Sequence, residues 1–140
     1  MAKLCEVGGR LEAVSCALFS SERRFITALA LRFEYLTATI RSVPNDDTLS
    51  AKIDTLEAEA NEVLVDVAGC QPWAKCCGSG LRWAWVLTNQ HGYSDGIRHE
   101  FGNPQQMESV LVELVVVASA IRIFSANAVA DENQAALFNP

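Results

Sequence analysis

An arginine can grip a phosphate and a neighbouring histidine can move a proton, and Arg98 and His99 stand side by side in this chain. They lie within His91-Gly92-Tyr93-Ser94-Asp95-Gly96-Ile97-Arg98-His99-Glu100-Phe101-Gly102-Asn103-Pro104, which gathers both histidines, three glycines and two acids. The same stretch also reads as structural: Asp95 as a cap, Arg98 paired with a carboxylate, His99 on backbone carbonyls. A second set is aromatic. Trp73, Trp83, Trp85, Tyr93 and Phe101, with Arg82, Arg98 and His99 nearby in sequence, suit a flat or anionic ligand or a protein surface, or else a small satellite core. A third set is the row Glu59, Glu62 and Asp66, with Glu108 and Glu113 later; carboxylates at such spacing on facing helices can hold Mg2+. A fourth is Cys70, Cys76, Cys77, His91 and His99, but adjacent Cys76-Cys77 does not match the spacing of zinc ligands. No metal or other cofactor is expected from these patterns.

The elements that would position these residues read as helices. Leu4, Val7, Leu11, Val14 and Leu18 recur at steps of three and four, as do Ile26, Leu29, Phe33, Leu36 and Ile40. Leu49, Ile53, Leu56, Ala60, Val63 and Val67 form a third stripe, stopped by Gly69. Asn103, Pro104 and Gln106 read as the cap of a fourth helix carrying Val110 to Phe124. That run is apolar around most of its circumference, which predicts burial on both flanks. The buried carboxylate expected at Glu113 calls for an arginine from the second helix or from a second subunit. Segment 70–103 reads as irregular, with one helical turn among its cysteines and a short helix or a strand over Leu81 to Gln90.

The fold expectation is therefore all-α: a bundle of four main helices, roughly 3–19, 22–42, 48–68 and 104–128, with 70–103 across one end. Residues 1–130 read as one domain and 131–140 as a frayed tail.

The 140 residues are half apolar, with a net charge of −6, ordinary for a globular chain and unfavourable for nucleic acid or an anionic membrane. The acids concentrate in 44–69, where only Lys52 opposes them. Five cysteines without a recognisable secretory signal predict a cytoplasmic chain with reduced thiols. Val110 to Phe124 is too short and too charged to span a membrane.

Gly92-Tyr93-Ser94-Asp95-Gly96-Ile97-Arg98-His99, followed by the apolar run, resembles a stretch of HEPN-like abortive-infection proteins. That resemblance covers about a quarter of the chain. It implies a helical, often dimeric protein of phage defence or another mobile-element setting. It also implies a metal-independent ribonuclease using Arg98 and His99, or an inactive relative. In that family the Arg and His are several residues apart, whereas here they are adjacent. The acidic row is similar to that of the all-α nucleotide pyrophosphohydrolases, but Leu111 stands where their later acid belongs. The leading expectation is a non-enzymatic binding protein, homodimeric through 104–128. Its ligand side would be Trp83, Trp85, Tyr93, Arg98 and His99, facing a protein or a small aromatic or anionic molecule.

Overall fold

The computed structural model describes residues 8–43, 46–102 and 109–128, and they form β-structure. Nine strands run in chain order: β1 (Leu11–Phe19), β2 (Glu22–Phe33), β3 (Thr37–Val43), β4 (Thr48–Ile53), β5 (Glu62–Asp66), β6 (Gly80–Thr88), β7 (Ser94–Gly102), β8 (Ser109–Val117) and β9 (Ala120–Ala128). One helical turn, α1 (Trp73–Cys76), falls in the cysteine-bearing connection where a single turn was expected. The first sheet has the order β4-β3-β2-β1-β5 and the second β6-β7-β8-β9. Every pairing within them is antiparallel.

The two sheets share one core, to which Val14, Leu29, Leu31 and Ile40 contribute from the first and Ile97, Phe101, Val112 and Leu114 from the second. Trp73 of α1 is buried there, edge-on to Phe101 at 6.4 Å between ring centroids. Strand β2 approaches β9, and β4 approaches β7 and β8. This is the layered solution open to sheets that are apolar on one face.

The helical bundle is overturned, and bulges explain the misleading spacing. A strand puts every second residue on one face, so apolar residues four apart fit a strand as well as a helix. Steps of three should discriminate, but a bulge inserts one residue and makes them in a strand. In β1, Leu11 pairs with Phe33 and Ala13 with Arg32, so Glu12 is extra and Leu11 and Val14 both face inward. In β2, Thr27 is extra between the pairs Ala17–Ala28 and Leu18–Ile26, which brings Ile26 and Leu29 to the same side.

The expected helix over 22–42 is two strands, β2 and β3. The expected helix over 48–68 is β4, a crossing segment and β5. The expected helix over 104–128 is the β8–β9 hairpin, and its start at 103–108 lies outside the described residues. Val112 and Val116 are buried as the inner face of a strand, but Val117 and Phe124 of the same run are exposed, so the run is not buried on both flanks. Val117 and Ala120 close that hairpin around Ala118 and Ser119, whose φ values of 52° and 66° are those of a type I′ turn. Leu81 to Gln90 resolves as strand β6 rather than a short helix, and the polar turn over 94–102 as β7. The predicted tail 131–140 lies outside the described residues. No helix among the described residues is long and apolar enough to cross a membrane.

Candidate binding face

The second sheet turns one side to the core and the other outward. Along β7, His99 and Ile97 face in and Arg98 and Glu100 face out, because neighbouring strand residues take opposite sides. The outward row that contains Arg98 crosses all four strands in register. Trp85 of β6 pairs with Arg98 of β7, Arg98 with Glu113 of β8, and Glu113 with Phe124 of β9. The row beside it runs Trp83, Glu100, Leu111, Ala126. Trp83 is outward because a bulge at Arg82 breaks the alternation after the buried Leu81.

Trp83, Trp85 and Phe124 are 59%, 45% and 51% exposed. Between them Arg98 Nη2 donates to Glu113 Oε2 at 3.2 Å. Thus the arginine that Glu113 required comes from the adjacent strand of the same chain, not from a second helix. Glu100 accepts a hydrogen bond from the Ser109 hydroxyl at 3.0 Å, so its carboxylate is anchored along the sheet. Tyr93, in the turn before β7, is also exposed.

His99 does not join this face. It is fully buried, stacked on Phe101 with centroids 5.9 Å apart, and burial pushes its imidazole pKa down to about 4. Neither ring nitrogen makes a hydrogen bond of good geometry among the described residues; the Val112 backbone opposite offers only weak support. Arg98 and His99 therefore lie on opposite sides of one strand and cannot grip the same small group.

The acidic row is spread over the other sheet. Residues 54–61 carry the chain from β4 at one edge to β5 at the other, a crossing of about 19 Å at ordinary strand spacing. The small Ala17, Ala28 and Ala30, buried on the outer side of that sheet, leave room for it. Arg41 of β3 ties this segment down. It donates to Glu62 at 2.7 and 3.1 Å and to the Glu57 carbonyl at 3.2 Å, and its guanidinium lies 3.6 Å from Glu59.

Glu62 also accepts from the Thr27 hydroxyl and from the Glu59 N–H. Burial pushes its carboxyl up, but these hydrogen bonds, led by Arg41, outweigh burial and hold the pKa at about 2. The bond to Glu62 in turn raises the Arg41 pKa. Asp66 accepts from the Ala68 N–H at 2.9 Å. Glu59, Glu62 and Asp66 thus hold backbone and arginine, and no three His, Cys, Asp or Glu side chains group as metal ligands among the described residues. Burial raises Cys16 and Cys76 to about 12, which keeps both thiols protonated.

Three grooves lie elsewhere. One of about 470 Å3 runs along Arg41 and the crossing segment, and one of about 340 Å3 lies between Phe25, Thr27 and Glu62. The third, of about 620 Å3, lies between Arg24 and Phe25 of β2 and Arg122 and Phe124 of β9. Trp83, Trp85, Tyr93 and Arg98 line none of these three.

A family model described as "Family of unknown function (DUF6334)" matches residues 2–130. The chain belongs to this family. The matched stretch runs through all nine strands. No curated protein and no solved structure matches the chain significantly.

Sequence reading picked out Trp83, Trp85 and Arg98, which the fold brings together, and Glu113, which joins them. It missed Phe124, because a helical reading turned that side chain inward. It also missed the Arg41–Glu62–Thr27 cluster, whose members lie on three strands and share no local motif.

Proposed function

We propose that this protein is a non-enzymatic interaction module that works through the outer face of β6–β9. The observation that carries this reading is the pair Trp83 and Trp85, about half exposed on one side of an edge strand, with Phe124 across the sheet. Large aromatic side chains left in water forfeit about 1.5–3 kcal/mol each, and contiguous exposed apolar surface of this kind marks interaction sites. The Arg98–Glu113 pair among them supplies orientation, because a partner must meet or replace those charges. The acidic cluster is fully engaged in holding the 54–61 crossing, and His99 is closed off from solvent, so neither offers a reacting group to a substrate.

The test compares the native chain with Trp83→Ser/Trp85→Ser. Loaded dilute, where the face is free of any partner, the variant should be retained less on a phenyl-substituted resin, with unchanged far-UV circular dichroism. In dilute native protein, where the face is free of any partner, acrylamide should quench most tryptophan emission and leave a buried Trp73 component. Equal retention of the two proteins would remove the reading. So would metal-independent RNA cleavage lost on His99→Ala, or Mg2+-dependent nucleotide turnover lost on Glu62→Gln.

A further inference from the structure

We infer that the occupant of this face is a second copy of the same chain, packed sheet against sheet about a two-fold axis that runs along the strands between β7 and β8. This rests on the reading of that face as the working surface and names its partner.

The argument is the order of side chains in the register. Such an axis lays β6 over the partner's β9 and β7 over its β8 and keeps each residue at its own height along the strand. The row Trp85, Arg98, Glu113, Phe124 then meets itself reversed. Each Trp85 falls on a Phe124, and each Arg98 on a Glu113. The next row sets the bulky Trp83 over the small Ala126, and Glu100, whose carboxylate is held along the sheet by Ser109, over Leu111. A face that reads aromatic, cation, anion, aromatic is its own complement under this operation, as an isologous contact requires.

The central charges favour a copy. Arg82, Arg98 and Arg122 share this face with Glu100 and Glu113, and the Arg98–Glu113 pair at its centre meets its own opposite in a second copy. Four nine-residue strands cover about 600 Å2 in plan, and side-chain relief brings that toward the roughly 800 Å2 per partner of a stable interface. Sheets that pack face to face stay nearly aligned, which keeps the rows in register across the contact.

The test is sedimentation equilibrium on the full chain and on charge variants. The native protein should be a dimer. Arg98→Glu and Glu113→Arg should each weaken self-association on the order of 100-fold, because four like charges then meet at the centre. An equimolar mixture of those two variants should form a mixed dimer, which a purely structural ion pair cannot produce. The double exchange Arg98→Glu/Glu113→Arg should restore the homodimer. Should the single charge variants fail to fold, Ala126→Arg leaves the ion pair intact and should still dissociate the dimer through Trp83. A native monomer at about 100 μM, some tenfold above the Kd of a weak specific interface, would overturn the inference. A dimer indifferent to the charge variants and to Ala126→Arg would overturn it as well. A monomer that still loses resin retention on Trp83→Ser/Trp85→Ser refutes the self-partner alone; equal retention refutes the face itself.

Discussion

Acid should weaken this fold first through one side chain, His99. The imidazole is wholly buried against Phe101 and poorly hydrogen-bonded, so the folded state disfavours its charged form. Its pKa falls from 6.5 to about 4. The unfolded chain binds the proton more readily, so stability is full above about pH 6.5, declines as pH falls, and levels off below about pH 4. A drop of that size corresponds to about 3 kcal/mol, a large share of the roughly 5–15 kcal/mol that holds a domain together. Urea denaturation followed by far-UV circular dichroism between pH 7.5 and 4 measures the loss. His99→Leu removes the proton site and two poorly partnered nitrogens at similar volume, so its stability should vary far less over the same range. Parallel pH profiles for the two proteins would refute the reasoning, as would an NMR titration of His99 at or above its ordinary value.

Glu62 should act in a separate, lower window. Its folded pKa is depressed to about 2, so its contribution is present above the unfolded value of 4.5 and lost as pH falls toward 2. Arg41→Met should cost about 2 kcal/mol in urea denaturation at pH 7, below the usual figure for a buried pair because Arg41 is partly exposed, and should shrink the acid-side loss. The β8–β9 turn places Ala118 and Ser119 in left-handed conformations that Asn and Gly adopt at less cost. Ala118→Asn/Ser119→Gly should therefore add about 1 kcal/mol and raise Tm by about 3 °C, because the hydrogen bond from the residue 119 backbone N–H to the Asp47 carboxylate survives and only the long contact of the Ser119 hydroxyl is lost.

Several features were legible without coordinates. Trp83, Trp85 and Arg98 stood out by type, Glu113 announced its need for a cation, and the cysteine region announced its single turn. The burial of Val112 and Val116 followed from the apolar density around them. The secondary structure did not follow, and the reason lies in particular residues. Glu12, Thr27 and Arg82 are the extra residues of bulges, and each converts a two-residue repeat into the three-residue step of a helix. The β8–β9 reversal was hidden because Ala118-Ser119 carries none of the Asn-Gly or Asp-Gly chemistry that marks such turns. The valine-rich composition of β8 was the local signal that favoured a strand, and the apolar spacing outvoted it.

Composition and residue type dictated a single large apolar core, a strong acid balance, and which side chains could bind. Strand register decided which of those side chains share a side. Arg98 and His99 are neighbours in the chain and strangers in space, because a strand sends consecutive side chains to opposite faces. Trp85 and Phe124 are far apart in the chain and stand on one row, because antiparallel pairing across β6, β7, β8 and β9 aligns them. Local sequence encodes what a residue can do; only the long-range hydrogen-bond ladder selects its companions.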